Sequence, residues 1–410
     1  MDNAIWKWPI SGPQHLAGTA GRFSFVGGAG DFDAKGKIRH PDDLAAQIPG
    51  TIANIASALA VEGCGLGDIL RLKVFYKSDG SRDEWEVLAA LAKHFERDPL
   101  PAITLHPVPL QPFAGQALQA QAIATRGWRD SAPDFRVVTG EVPAKYRQRF
   151  GDRKITLGLR ANEFLVVPAR TAIDEEGNPM PGDGVAHSRL IMTRHEETLK
   201  ALGASFQDAI KMEGYYFGIT TEAWADMART RGSFFREPGP VATVVPCHGL
   251  YPQGAQTKIE VMGMRESWNG FDKYIPREDR WPRRVWDWQI PLPYRQAIRL
   301  RDMIWLGGQV PSAPDSNKGV TVLPGQLLPQ TQFTMSLIED LLRAFDRATS
   351  DLKLVIAYFT SGGSEAETHA FLDTLRASIP GPLPPLTLVP QPHMHTKEMM
   401  VEIWGVARAR

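Results

Sequence analysis

The feature that most constrains this chain is a pattern that returns every 140 residues or so along its 410 positions. Three stretches read as amphipathic helices: "DLAAQIPGTIANIASALAVEG" (43–63), "VAHSRLIMTRHEETLKALG" (185–203) and "LLPQTQFTMSLIEDLLRAFD" (327–346). Ile52, Ile55, Ala56 and Leu59 carry the i, i+3, i+4, i+7 spacing of a buried stripe, and Ile338, Leu341, Leu342 and Phe345 repeat it. A strand follows each helix: "DILRLKVFY" (68–76), "DAIKMEGYYF" (208–217) and "DLKLVIAYF" (351–359). A second helix comes next, clearest in "RDEWEVLAALAKHF" (82–95), then a Pro-led strand at 101–110, 240–250 and 384–392, then a closing strand at 117–124, 257–264 and 400–407. From Gln47 to His187 is 140 residues and from His187 to Gln330 is 143, while Pro101, Pro240 and Pro384 are spaced by 139 and 144.

This spacing predicts three tandem α+β modules of β-β-α-β-α-β-β order. Their bounds are 1–125, 154–265 and 294–410, with connectors at 126–153 and 266–293. The second connector holds Trp268, Trp281, Trp286 and Trp288 interleaved with arginines, which a flexible linker has no use for. A strap on the surface, a lid over a cleft and a dimer contact all suit it.

Lys+Arg and Asp+Glu both number 46, so the chain has none of the basic excess that nucleic acid or an anionic membrane selects. Two cysteines, Cys64 and Cys247, read as reduced thiols, and no run of 18 apolar residues occurs. The expectation is a cytoplasmic protein with a small-molecule partner and neither nucleic acid nor membrane.

The element order, "YRQA…GGQVP" at 294–311, the helix-opening "QT", the Pro-led strand and "VEIWGVA" at 401–407 together resemble the RidA/YjgF family of enamine/imine deaminases. Members of that family are homotrimers with a site in each cleft between neighbours. The resemblance therefore implies a covalent pseudo-threefold trimer, sheets inside and helices outside, working as a monomer or a homodimer, without cofactor or metal.

The family's arginine, which grips a substrate carboxylate, falls on Ile103, Ala242 and Leu386 here, so the resemblance implies an uncharged or cyclic substrate. Its strand glutamate falls on Gln121, Glu260 and Trp404, which makes Glu260 the expected acid/base, with a pKa raised by burial. The first-strand aromatic is Tyr294 in the third module, and Gly307, Gly308 and Gln309 follow as a backbone cradle for an oxyanion. The expected site thus joins Glu260 and Tyr294, as catalytic groups, to Gly307, Gly308, Gln309 and Ala242 as substrate contacts. A different winding brings Glu260 to Gly27 and Gly28 of the first module instead.

His393 and His395 share a strand face but lack a third metal ligand, and Cys247 beside His248 reads as a buried structural thiol. Barbiturase and cyanuric acid hydrolase have a similar three-part architecture with a Ser-Lys pair in each part; Arg71, Lys211 and Lys353 stand at the matching strand positions without the serines. The function expected is hydrolysis of a C–N bond, by imine or enamine deamination or by opening of a cyclic amide. The alternative is a non-catalytic pseudo-trimer that binds a small metabolite.

Overall fold

The structure, a computed structural model, describes residues 6–131, 134–218, 221–265, 273–274, 284–314 and 319–410. The first module runs β1 (Ala17–Ala20), β2 (Phe23–Ala29), α1 (Leu44–Val61), β3 (Ile69–Lys77), α2 (Glu84–Ala92), β4 (Ala102–Val108) and β5 (Leu118–Thr125). After a turn of helix, α3 (Trp128–Ser131), come β6 (Phe135–Gly140) and a second short helix, α4 (Arg147–Phe150). The second module has β7 (Ile155–Ala161), β8 (Phe164–Arg170), α5 (Gly184–Ala201), β9 (Ala209–Phe217), α6 (Thr221–Gly232), β10 (Val241–Cys247) and β11 (Thr257–Met264). Then follow β12 (Lys273–Tyr274) and the third module: β13 (Ala297–Leu300), β14 (Met303–Leu306), α7 (Leu327–Arg343), β15 (Leu352–Thr360), α8 (Glu365–Ala377), β16 (Leu386–Gln391) and β17 (Val401–Arg408).

The sheets share one order: β1-β2-β5-β3-β4, then β6-β7-β8-β11-β9-β10, then β12-β13-β14-β17-β15-β16. Only the last pair of each, β3/β4, β9/β10 and β15/β16, is parallel, as a strand-helix-strand crossover requires. The segments expected to be connectors extend the second and third sheets by one strand each, β6 and β12. Trp268, Trp281, Arg277 and Arg280 lie outside the described residues.

The repeat has a mechanical cause. Gln47, His187 and Gln330, the residues spaced by about 140, sit in the first turns of α1, α5 and α7 and tie down the backbone that leads into the last strand. Gln47 accepts from the Ala117 amide at 2.8 Å, the His187 ring takes the Gln256 amide at 3.2 Å, and Gln330 accepts from the Met400 amide at 2.7 Å. Buried loop amides need such partners, so each module retains the anchor. α1 is long and apolar enough by composition to span a membrane, yet half of it is buried against β2 and β5.

One buried cluster draws on strands of all three sheets, among them Phe25 and Phe75 of the first, Tyr215 and Met262 of the second, and Tyr358 and Trp404 of the third. The registers β3/β5, β9/β11 and β15/β17 make Gln121, Glu260 and Trp404 equivalent, opposite Lys73, Glu213 and Ile356. Two residues earlier on the same strands stand Arg71, Lys211 and Leu354. The third equivalent is Leu354, not Lys353, because Lys353 points to the other face of β15.

Candidate functional site

Glu260 is not in a cleft with Tyr294. It lies in a fully buried ionic cluster between the first and second modules. Arg71 reaches it with two nitrogens, Nε to Oε1 at 2.6 Å and Nη2 to Oε2 at 2.8 Å. Thr104 donates to Oε1 at 3.0 Å, and Lys73 lies 3.3 Å from Oε2 and 2.7 Å from Glu213. Gln121 accepts from Arg71 at 2.6 Å. Burial pushes the Glu260 carboxyl up, but the charges of Arg71 and Lys73 outweigh it and hold the carboxyl well below its ordinary value. That reverses the direction expected from the sequence. An ionised carboxylate with every lone pair engaged is a tie between modules, not a poised base.

Tyr294, Ala242 and Gly308 do meet, in a cavity of about 160 Å³ between the second and third modules. Gly307 and Gln309 lie beside it. Gln309 pairs with Ile403 in the sheet and bonds Gln296 at 2.7 Å, and Gly307 hands its amide to the Gln296 carbonyl at 2.8 Å. Trp286 and Trp288, the tail of the second connector, form an edge-to-face pair at 5.1 Å and line the same cavity. That stretch is thus part of the cleft wall.

Two carboxylates line this cavity: Asp287, whose Oδ1 takes the Trp288 amide at 2.8 Å, and Glu402, on β17. His395 holds its Oε2 through Nε2 at 2.7 Å, and the other ring nitrogen of His395 is 3.1 Å from the Tyr216 hydroxyl. Tyr216, His395 and Glu402 form a relay in which each group orients the next. Oε1 accepts no hydrogen bond from the described residues. It lies against Gly308: a Cβ there would stand 1.8 Å from Glu402 Oε1 and 2.9 Å from Thr243 Oγ1. The Gly-Gly pair in "GGQVP" makes room for the carboxylate.

The cavity also holds Arg231, in the last turn of α6. Its side chain is fully buried, and none of its three guanidinium nitrogens has a hydrogen-bond partner among the described residues. Burial works against its charge, while the nearby hydroxyls of Tyr294 and Tyr216 favour it. A guanidinium keeps its proton in proteins, so this is a buried cation with no ion-pair partner among the described residues, which is costly unless a ligand supplies one. The expectation of an uncharged substrate rested on Ile103, Ala242 and Leu386. The structure brings a guanidinium to the same cleft from the neighbouring helix instead.

Behind Glu402 lies Lys211. Its ammonium bonds Thr243 Oγ1 at 2.6 Å and the Leu306 carbonyl at 3.2 Å, and it sits over the Trp404 ring at 4.0 Å. Burial lowers its pKa to about 7 despite the pull of Glu213 and Glu402. Other sequence candidates have structural places. His393 packs on His248 at 4.1 Å, and Cys247 donates to the Tyr216 carbonyl at 3.2 Å, its pKa pushed up to about 12 by burial.

The other two clefts differ. Between the third and first modules Trp8 fills the space: its indole bonds the Gly28 carbonyl at 2.8 Å, and a Cβ on Gly28 would lie 2.2 Å from the Trp8 ring. Gly27 and Gly28 therefore meet Leu386 and Trp8, and not Glu260. Between the first and second modules a larger cavity, about 620 Å³, has Lys258 where Glu402 would stand; Lys258 is paired with Glu84 at 2.5 Å.

Sequence reasoning passed over Glu402 and Arg231. Glu402 sits in the quoted "VEIWGVA", two residues before Trp404, and the signal was there: of the equivalent positions Gln119, Lys258 and Glu402, only one is acidic. Arg231 gave no signal, because its meaning depends on which way α6 faces.

No family model and no curated protein sequence matches the chain. Among solved structures, a chorismatase crystal structure aligns over 85% of this chain and 94% of its own, with a TM-score of 0.57 at 12% identity. A Rid-family protein from Yersinia pestis matches 33% of this chain, with a TM-score of 0.27 at 20% identity and 98% of its own length covered. A member of the YjgF/YER057c/UK114 family from Mycobacterium tuberculosis matches 31%, with a TM-score of 0.25 at 21% identity and 99% of its own length covered. The chain shares its overall fold with the chorismatase over most of both lengths.

Proposed function

We propose that the chain is a hydrolase of small cyclic carboxylic acids, working in the cleft between its second and third modules. The observation that carries this is Arg231, a buried guanidinium with no hydrogen-bond partner among the described residues, in the same cavity as a carboxylate held by histidine. Arg231 binds the substrate carboxylate and is neutralised by it. Trp286, Trp288 and Tyr294 pack against the ring. Glu402 is the acid/base: its free Oε1 delivers a proton to the leaving side of a carbon–heteroatom bond and recovers one from the attacking water. His395 fixes the carboxylate's orientation through Oε2 and is itself set by Tyr216. Such a group contributes about 10²–10⁴-fold to rate.

The chorismatase likeness fits this reading, since that name denotes an enzyme of chorismate, a small cyclic dicarboxylate. Hydrolysis of a C–N bond, expected from the family resemblance, uses the same parts, and so does hydrolysis of a C–O bond. The three modules form a pseudo-threefold unit, sheets inward, which sets the cleft between unlike neighbours; the buried cluster shared by the three sheets supports that arrangement.

The test is turnover of chorismate, followed by loss of substrate absorbance, alongside cyclic imine and lactam carboxylates. The wild-type chain should convert at least one of them, and Glu402→Gln should lower kcat at least about 10²-fold with the fold intact. A chain that binds these acids with no turnover, and binds them equally as Glu402→Gln, is a metabolite-binding protein and not an enzyme.

A further inference from the structure

The structure assigns a second small-molecule site, and we propose that the cleft between the first and second modules binds an aromatic carboxylate without transforming it. This does not rest on the hydrolytic reading of the other cleft. The cavity of about 620 Å³ has apolar walls from both sides, including Trp85, Leu88 and Ile103 of the first module and Pro168 of the second. At the same cavity stand Arg170, at the end of β8, and Arg194, on α5.

Neither arginine has a carboxylate partner among the described residues. Arg170 donates to the Leu157 carbonyl, and its buried Nε has no acceptor. Arg194 donates to the Ile173 carbonyl at 2.8 Å. Two neighbouring guanidiniums without an anion repel each other, and burial together with Arg194 brings the Arg170 pKa down to about 10. The carboxylates that line the cavity are occupied or facing water. Glu84 holds Lys258 at 2.5 Å and Tyr76 at 3.2 Å. Glu141 pairs with Lys154 at 3.0 Å, Asp174 takes the Asn178 amide at 2.7 Å, and Glu175 is exposed.

A cavity with aromatic and aliphatic walls and two uncompensated guanidiniums selects a flat apolar body bearing a carboxylate, because a bidentate carboxylate satisfies the guanidinium edge. The cleft has no counterpart of the Glu402–His395 pair: Lys258 takes that strand position, and it is tied to Glu84. Binding there ends without proton transfer.

Benzoate is the probe, titrated calorimetrically into the full chain. Wild type should show a site that survives Arg231→Met and weakens at least about 10-fold in Arg170→Met. Ile103→Trp, which fills the cavity from the opposite wall and leaves both arginines in place, should abolish the same site. If Arg170→Met does not fold, Ile103→Trp alone decides. The proposal is overturned if wild type binds no benzoate up to about 10 mM, if Arg231→Met removes all binding, or if the surviving site is unchanged in Ile103→Trp.

Discussion

Arg231→Met should act in opposite directions on stability and on binding. Arg231 is fully buried, and its guanidinium makes no hydrogen bond to the described residues. An unsatisfied buried polar group costs about 1–3 kcal/mol, and more when charged. Methionine keeps the apolar length of the side chain and removes the charge, as when a buried ionic group is replaced by a hydrophobic one of similar volume. The ligand-free variant should therefore be more stable by about 1–3 kcal/mol, which for a chain of this length raises Tm by about 1–4 °C. The same change removes the anchor for the substrate carboxylate. A charge-assisted hydrogen bond is worth about 1.5–3 kcal/mol, so affinity for the cyclic acid should fall by about 10–10²-fold. Thermal melts without ligand and calorimetric titration of the substrate acid read the two effects separately. A variant that melts lower and still binds the acid with wild-type affinity would refute the reasoning, because Arg231 would then be a structural residue satisfied within the fold.

Other outcomes follow from the same geometry. Gly308→Ala places a methyl group 1.8 Å from Glu402 Oε1, the far end of a movable side chain; the carboxylate should swing away, so kcat falls at least about 10-fold while the melting curve barely moves. Glu260→Gln leaves Arg71 and Lys73 short of an anion in a fully buried cluster, so it should destabilise the chain by about 3–5 kcal/mol while turnover per folded molecule is retained. Because the folded-state pKa of Glu260 is depressed, its contribution is present above its ordinary value of 4.5 and is lost as pH falls towards about 2. Acid titration of wild type against Glu260→Gln should show the two stability curves converging over that range.

What the sequence disclosed about the fold follows from where each signal is local. The helices announced themselves because Ile52, Ile55 and Leu59, or Ile338, Leu341 and Leu342, must face one core, and the 140-residue spacing is carried by Gln47, His187 and Gln330 doing one local job three times. β6 and β12 were not legible as strands, since each is an edge addition whose partner comes from elsewhere in the chain. Tyr294, Ala242 and Gly308 could be placed in one cavity from sequence because they lie at ends of elements that the repeat locates. Glu260 was misplaced because a surviving acidic residue reads the same in sequence whether it faces a substrate or Arg71. Only the packing of one module on the next decides between those, and residues 189 positions apart make that contact.

The same packing explains why the proposed chemistry is assigned to the cleft between the second and third modules. On the middle strand of each sheet, the equivalent positions are Arg71, Lys211 and Leu354, then Lys73, Glu213 and Ile356. In an assembly of three identical chains each set would be one residue three times, and a buried set of three lysines or three glutamates would repel itself. Unlike modules in a single chain let Lys73 face Glu213 at 2.7 Å and Arg71 grip Glu260 with two nitrogens. That lock immobilises the carboxylate on the first-second side. On the second-third side Trp404 replaces it, and Lys211 rests on the indole face at 4.0 Å with Thr243 and the Leu306 carbonyl as its hydrogen-bond partners among the described residues. Glu402, two residues before Trp404 on β17, then has no lysine or arginine partner among the described residues. Among the described residues it is held by His395, and its other oxygen is the one the proposed mechanism uses for proton exchange with a ligand on Arg231.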